Sequence, residues 1–310
     1  MRIKNENRTS GRKIRRKGPG IPAVIILVLI SILVLGPVIY TIANSFMGHK
    51  EILRYYSEYK KSGGFTGFHL VPDRLSLDAY FQMLVARPDY LVKFWNSMLL
   101  SFTIVAGQVV ISCLGGYAFS KLRFRYSHVI FYIVIVMMMM PYQVTLVSNF
   151  IVLEKMKMIG KYSAVIVPSF FSAFGVFLMK QSFDTIPNEQ LEAASLDGAS
   201  ELKQLFMIAV PMNKAGIGSL VILGFIDAWN MVEMPLVLLS ERYQYPLSLY
   251  LASVIADNLS LGFACGVLAL FPPLMMFLFF EDELVEGITF ATQNKMSKSM
   301  FRAFVVQSSP

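Results

Sequence analysis

The sequence predicts an all-α membrane protein with six transmembrane helices. The 310 residues include 55% apolar and only 15% charged residues, and their mean hydropathy is +0.56. Soluble domains carry about 25% charged residues. Apolar windows that could cross a bilayer recur along the chain, since about 20 helical residues span its hydrocarbon core. Low charge and repeated windows of this length together indicate a multi-pass membrane protein.

Windows with few or no charges predict the position of each span, because a charged side chain is costly at the bilayer centre. The six windows are residues 21–40, 94–120, 126–153, 162–179, 214–241 and 258–280. The fifth window contains Asp227 and Glu233. These acids are expected to face a cavity or another protein surface instead of lipid.

Basic residues predict the orientation of the spans. Residues 1–18 hold eight Lys or Arg and one Glu directly before the first span, which is typical of a cytoplasmic arm. Six spans then place both termini in the cytoplasm, with 17 basic residues on that side, 10 outside and Lys93 at a span entrance. No A-x-A-like cleavage site follows the first span, so we interpret it as an anchor. The arm carries most of the positive charge, and nucleic-acid binding is not expected.

These assignments divide the chain into five regions. They are a basic cytoplasmic arm (1–18), a first transmembrane helix (19–45), an external loop (46–90), a transmembrane core of five helices (91–280) and a cytoplasmic tail (281–310). The external loop is long enough to hold short helices or turns. A long connection, residues 184–211, lies on the cytoplasmic side between the fourth and fifth spans.

Motifs that carry enzymatic chemistry are missing from the sequence. It contains no P-loop, no H-E-x-x-H and no G-x-S-x-G stretch. The histidines, His49, His69 and His128, lie outside the span centres, and Cys113 and Cys265 have no metal-ligand spacing. We therefore expect no catalytic residue, no metal site and no cofactor on this chain. A transporter or channel fits better than an enzyme.

The connection 184–211 reads DTIPNEQLEAASLDGASELKQLFMIAVP. Pro187 suits the first turn of a helix, and 188–196 contains mostly good helix formers. Gly198 is expected to end that helix in the left-handed conformation. Ser200 fits the N-cap of a second helix, which bends or ends at Pro211. One apolar face of the second helix is expected from Leu202, Leu205, Phe206 and Ala209.

The stretch EAASLDGAS…IAVP resembles the EAA loop of ABC importer permeases, since Glu192, Ala193, Ala194 and Gly198 match its pattern. In that family this cytoplasmic loop holds the coupling helix, which docks in a cleft of a separate ATPase subunit. The resemblance implies an ATPase-coupling role for Glu192, Ala193, Ala194, Leu196, Asp197 and Gly198. On shape alone, the alternative is a solvated turn that only reverses the chain.

Further stretches are similar to the carbohydrate branch of these permeases, in particular to the shorter, six-span, MalG-like partner of the maltose-type heterodimer. They are residues 76–85, 94–101, 137–168 and 227–239. The C-terminus departs from the family pattern, because FATQNK and 15 more residues follow Gly287, Ile288 and Thr289.

The resemblance implies a permease subunit that imports a sugar or oligosaccharide through a bacterial plasma (inner) membrane. The implied partners are a second homologous permease, two cytosolic ABC ATPases, an extracytoplasmic sugar-binding protein and membrane lipid. ATP and Mg²⁺ would then be bound by the ATPase subunits. The alternatives are an ABC permease for another solute, such as a polyamine or peptide, and a stand-alone channel or secondary carrier.

Polar residues inside the spans are candidates for a substrate path. Asp227, Asn230 and Glu233 are expected to share one face of the fifth span, and Trp229 could stack on a sugar ring. The other candidates are Asn96, Gln108, Gln143 and Asn149. For the amides the alternative is a hydrogen bond between packed helices. In maltose-type pairs, moreover, the longer partner can supply most sugar contacts.

Two features have packing interpretations. Ser112 and Gly116, four residues apart, are expected to allow close helix contact. The methionine run before Pro141 predicts adaptable packing at a proline kink, with gate lining as the alternative.

Overall fold

The computed structural model describes residues 21–62, 69–86 and 89–307, without the side chains of residues 57–62, 256–257 and 284–307. The predicted basic arm, residues 1–18, lies outside this part of the chain. Within it, the only β pairing is an isolated antiparallel bridge between Met47 and Leu75. The helices are α1 (Ile21–Ser45), α2 (His49–Ser62), α3 (Asp78–Phe81), α4 (Asp89–Lys121), α5 (Ser127–Met139), α6 (Tyr142–Lys155), α7 (Tyr162–Ser169), α8 (Ala173–Phe183), α9 (Asn188–Leu196), α10 (Glu201–Gln204), α11 (Val210–Met212), α12 (Lys214–Trp229), α13 (Glu233–Leu238), α14 (Leu247–Asp257) and α15 (Leu259–Gln307).

The predicted all-α membrane fold is confirmed, with four helical segments long and apolar enough to cross a membrane. They are Ile21–Ser45, Asp89–Lys121, Tyr162–Phe183 and Leu259–Glu283. Two bent pairs also qualify: α5 with α6, bent by 105°, and α10–α11 with α12, bent by 82°. If each pair forms one span, the described residues contain six. The count of six stays a prediction.

Helix α1 exposes almost its entire surface. Its most apolar window is 0% buried, and within the helix only Asn44 and Ser45 are buried, at its C-terminal end. A long uncharged helix with side chains on every side unburied is readily explained by lipid contact. The predicted external loop after it contains α2 and α3, and Gln82–Ala86 forms a π-helical turn.

Helix α4 is the centre of the packing. Its 33 residues extend for about 50 Å at 1.5 Å per residue. It contributes buried side chains to three hydrophobic clusters, for example Val105, Ile104 and Cys113. It packs tightly against α8 at Gly116, where an added Cβ would lie 2.6 Å from Met179 Cβ and 2.8 Å from the Lys180 backbone nitrogen. The small-residue contact predicted at Gly116 is therefore confirmed.

The chain between α5 and α6 is sharply broken instead of gently kinked. Met140 is extended (φ −73°, ψ 134°), and α6 begins after Pro141. Proline lacks an N–H donor and disfavours helical geometry in the residue before it. Pro141 thus accounts for the 105° bend.

The apolar face expected in the second helix of the 184–211 connection is only half correct. Leu205 and Ala209 are buried, but Leu202 and Phe206 are 60% and 54% exposed. Residues Leu205–Ala209 form a π-helical turn. The wider turn changes the 3.6-residue periodicity that the prediction assumes.

We expect Gly116→Ala to destabilise the protein, because the new methyl group would force apart the backbones of α4 and α8. Overpacking of this kind costs about 1–3 kcal/mol. Thermal unfolding of the purified chain in detergent would measure the effect. Gly36→Ala on α1 is the matched control, since a Cβ added there would have nothing within 4 Å. Equal melting temperatures for the two variants would contradict the close contact.

Candidate functional site

Helix α9 has the bounds that its sequence predicts. It runs from Asn188 to Leu196, and Pro187 directly precedes it with φ −60° and ψ 133°. Gly198 has φ +81°, the left-handed conformation expected from the sequence. The Gly198 N–H donates to Ser195 O and the Ala199 N–H to Ala194 O, both at 3.0 Å. These two bonds form a Schellman motif, which satisfies carbonyl groups at the end of the helix.

The inner side of α9 is anchored to the helical bundle by apolar side chains. Leu191 is 6% exposed and belongs to a cluster with Ile186, Phe183 and Leu205. At the N-terminal side, Lys121 Nζ donates to Ile186 O at 2.6 Å and to Asn188 Oδ1 at 3.0 Å. Helix α9 is therefore attached to the C-terminal ends of both α4 and α8.

A buried glutamine holds the other end of α9. Gln204 is 3% exposed, and its Nε2 donates to Ser195 Oγ and to Ala199 O, both at 2.9 Å. The Tyr117 hydroxyl of α4 donates to Glu201 Oε2 at 3.3 Å. Sequence reasoning missed these residues, because a single amide in a short helix carries no pattern that assigns it a partner.

The side of α9 that faces away from the bundle carries the residues predicted to couple to an ATPase. Leu196 is 90% exposed, and nothing lies within 4 Å of a Cβ built on Gly198. Five of the six predicted residues are exposed and Ala194 is half-buried; the exposed ones are Glu192, Ala193, Leu196, Asp197 and Gly198. The helix thus presents an unpacked leucine and small side chains on a firmly held base.

The expected shared face of Asp227, Asn230 and Glu233 is wrong. Helix α12 ends at Trp229, Asn230 is its C-cap, and Glu233 begins α13 after a break. Asn230 Nδ2 donates to Ile226 O at 2.8 Å, within its own helix end. An i, i+3 spacing places side chains on one face only inside a continuous helix.

Trp229 is part of the packed core in this conformation. It is 4% exposed, its ring stacks on Phe225 and meets Phe94 edge to face, and its Nε1 donates to Ala269 O at 3.2 Å. Because the residue is only 4% exposed, its ring leaves little free surface on which a sugar could stack.

The helix break at Pro141 and the one after Trp229 bring Gln143 and Glu233 together. Gln143 Nε2 donates to the Glu233 carboxylate oxygens at 3.1 and 3.3 Å, and both residues are exposed. They lie 90 residues apart in sequence, each near the start of a helix that follows a break. Asp227 is also exposed, and Asn149 is half-buried.

The remaining amides fit the alternative of hydrogen bonds between packed segments. Asn96 Nδ2 donates to Tyr243 O at 2.7 Å, and its Oδ1 accepts from the Tyr162 hydroxyl at 3.0 Å. Gln108 Nε2 donates to Ser169 O at 2.9 Å. Both amides connect α4 with other elements and so support the bundle.

A largely apolar cavity of about 510 Å³ lies between α1, α14, α15 and the end of α12. Trp229 and Asn230 line it, together with Thr41 and Ser248. Gln143 and Glu233 do not belong to its lining. The predicted path residues therefore do not converge on one site.

A family model matches more than half of the chain. Residues 108–285 match the model described as binding-protein-dependent transport system inner membrane component. This region contains α9 and both sharp bends.

Several curated proteins are similar over most of the chain. The arabinooligosaccharides transport system permease protein AraQ of Halalkalibacterium halodurans is 26% identical, over 82% of this chain and 88% of that protein. AraQ of Bacillus subtilis is also 26% identical, over 87% and 94%. The sn-glycerol-3-phosphate transport system permease protein UgpE of Pectobacterium atrosepticum is 28% identical, over 62% and 70%.

A solved structure shares the fold. It is a bacterial ABC transporter involved in the import of the acidic polysaccharide alginate. One of its chains superposes with a TM-score of 0.71 at 21% identity, and the match covers 86% of this chain and 96% of that one.

We expect Glu233→Cys and Gln143→Cys to react with a membrane-impermeant thiol reagent, because thiols react as thiolates, which form in water and not in lipid. Labelling of the chain in membranes, followed by mass spectrometry, would measure this. Cys113 and Cys265 can stay in place because they are only 4% and 1% exposed. Leu29→Cys, at a position 61% exposed on α1, is the lipid-facing control. A Glu233→Cys variant as unreactive as Leu29→Cys would exclude a water-filled path there.

Proposed function

The chain belongs to the family of binding-protein-dependent transport system inner membrane components, and from this premise we propose that it is the permease subunit of an ABC importer for a sugar or oligosaccharide. The observation that carries the proposal is helix α9. Its base is held by Leu191, Lys121 and Gln204, while Leu196 projects 90% exposed from its end. An exposed apolar side chain on a firmly held helix is suited to dock in a groove of a partner protein.

The anchors of α9 suggest how movement would reach the membrane. A closing ATPase dimer would displace α9, and the Lys121 and Gln204 contacts would transmit that displacement to α4 and α10. Helices α10–α11 lead directly into α12 through the 82° bend. Bends of this kind between rigid segments are suited to absorb the change between inward-facing and outward-facing states.

The proposed complex has four further subunits. They are a second, homologous permease, two cytosolic ABC ATPases and an extracytoplasmic sugar-binding protein. ATP and Mg²⁺ would be bound and ATP hydrolysed on the ATPases, and this chain would perform no chemistry itself. A related alginate transporter has been solved in complex with an alginate pentasaccharide-bound periplasmic protein, which supports a binding-protein partner. Both termini of this chain would lie in the cytoplasm.

The substrate class rests on the similar proteins. The AraQ proteins transport arabinooligosaccharides, as their names state, and UgpE transports sn-glycerol 3-phosphate. Both are polyhydroxylated solutes, which favours a sugar over a polyamine or peptide. We propose that the substrate path runs near Gln143 and Glu233, which meet at the breaks between helices. The exposed Asp227 on α12 is a further candidate.

We expect Leu196→Asp and Glu192→Lys to weaken ATPase binding, because the first places a charge at an apolar contact and the second reverses a charge. The amount of ATPase that copurifies with the tagged chain should fall by about tenfold or more, which corresponds to a loss of about 1.4 kcal/mol of binding free energy. Mass spectrometry would identify the ATPase by its P-loop peptide. Leu75→Asp is the matched control, because Leu75 is 81% exposed and lies outside the predicted coupling loop. Full copurification with both α9 variants would contradict the docking role.

We expect the solute-binding protein that works with this permease to bind an oligosaccharide or a polyol phosphate. Calorimetric titration with an arabinooligosaccharide, sn-glycerol 3-phosphate, spermidine and an oligopeptide would decide among the classes. Binding of spermidine or peptide alone would overturn the sugar assignment. Uptake by the purified chain in vesicles without any ATPase, driven by an ion gradient, would instead indicate a secondary carrier.

A further inference from the structure

Three side chains that the sequence keeps apart meet beside helix α2. Glu51 lies in its first turn, and His69 and Asp73 lie in the segment that precedes α3. One potential metal-ligand atom from each side chain lies within 4.8 Å of the other two. The imidazole Nε2 of His69 is 3.7 Å from Asp73 Oδ1.

The Nε2 nitrogen of His69 forms no hydrogen bond with the described residues. This nitrogen is also buried from solvent. Its separation of 3.7 Å from Asp73 Oδ1 exceeds the 2.7–3.2 Å of an N–H···O bond. A buried nitrogen that faces carboxylate oxygens without bonding to them fits the lone pair of a metal ligand.

We propose that Glu51, His69 and Asp73 bind one divalent transition-metal ion, with Zn²⁺ as the best fit. Zinc accepts His nitrogen and carboxylate oxygen at about 2.0–2.2 Å, which places neighbouring tetrahedral ligands about 3.4 Å apart. The observed 3.7 Å is close to that spacing. Two carboxylates balance the charge of the ion, and a water molecule would complete the four ligands.

The surrounding contacts hold the three ligands in place and leave ligand atoms free. The Tyr55 hydroxyl donates to Asp73 Oδ2 at 3.1 Å, so Oδ1 stays available. The Asp73 N–H donates to Glu51 Oε1 at 2.7 Å. The Tyr55 ring stacks on the His69 imidazole, with centroids 3.9 Å apart and planes at 19°. Such outer contacts orient ligands and strengthen metal binding.

The ligand set also distinguishes zinc from the common alkaline-earth ions. Calcium takes six to eight oxygen ligands, and magnesium favours octahedral oxygen ligation. An imidazole with two carboxylates suits neither well but suits zinc and similar transition metals. The side chains of His69 and Asp73 are 29% and 54% exposed, so an ion could enter from solvent.

A bound ion would tie the segment before α3 to helix α2. His69 O already accepts a hydrogen bond from Asn44 Nδ2 of α1 at 3.4 Å, so the connection would extend to the membrane helix. The ion would thus stabilise the region that the sequence predicts to be external. The ion would take no direct part in the transport mechanism proposed above.

The test is calorimetric titration of Zn²⁺ into the full-length chain, purified in detergent with a histidine-free tag and stripped of metal by a chelator. We expect one Zn²⁺ per chain with micromolar or tighter affinity. His69→Ala and Asp73→Asn are each expected to weaken binding by at least about tenfold. Asp73→Asn preserves side-chain shape, which guards against a loss caused by misfolding.

His49→Ala and Asp78→Asn are the matched controls, since both residues are exposed and lie in the same predicted loop. They are expected to bind Zn²⁺ as the unmodified chain does. Zn²⁺ should also raise the melting temperature of these controls but not of Asp73→Asn. Absence of saturable micromolar binding, equal affinity in His69→Ala and His49→Ala, or displacement of Zn²⁺ by equimolar Ca²⁺ or Mg²⁺ would each overturn the proposal. None of these results would affect the proposed transport function.

Discussion

A peptide group in the bilayer core has no water with which to form hydrogen bonds, and this constraint governs the structure. It requires continuous helices wherever the backbone meets lipid, and it permits breaks only inside protein or beside a water-filled cavity. Helix α1, unbroken and exposed over most of its surface, satisfies the first condition. The breaks at Pro141 and after Trp229 are where such a cavity is expected, and Gln143 and Glu233 form a hydrogen bond beside them.

Close packing around α4 supports these breaks. Gly116 lets the backbone of α8 approach α4 directly, and Asn96 and Gln108 bind carbonyl groups of neighbouring segments. Small residues and amides replace the hydrophobic effect as the source of helix association where lipid is as apolar as the side chains. The same long helix has its N-terminal end near Tyr243 and its C-terminal end at α9. A displacement at one end is therefore mechanically linked to the other.

The loop around α9, which is predicted to couple to an ATPase, combines two opposite properties. Its base is held by the packing of Leu191 and by the hydrogen bonds of Lys121 and Gln204. At its tip, Leu196 is exposed and Gly198 has open space around it. Full burial of an apolar side chain provides about 1.5–3 kcal/mol of stabilisation, which the exposed Leu196 does not contribute in the isolated chain. A partner surface that buries Leu196 would recover this energy. The local geometry of α9 is in this way linked to the subunit composition proposed for the transporter.

The sequence by itself determined the membrane class, the bounds of α9, the left-handed Gly198 and a change of helix direction at Pro141, because composition and the stereochemistry of Gly and Pro act locally. It also carried the family resemblance that the matched family model confirms.

The tertiary structure alone decided which polar residues meet. The end of α12 at Trp229 separates Asn230 from Glu233. Glu233 instead accepts a hydrogen bond from Gln143, which lies 90 residues away in sequence. Likewise Glu51, His69 and Asp73 converge without any motif. Contacts between distant residues depend on how helices bend and how they pack. The spacing of residues along the sequence determines neither the bending nor the packing.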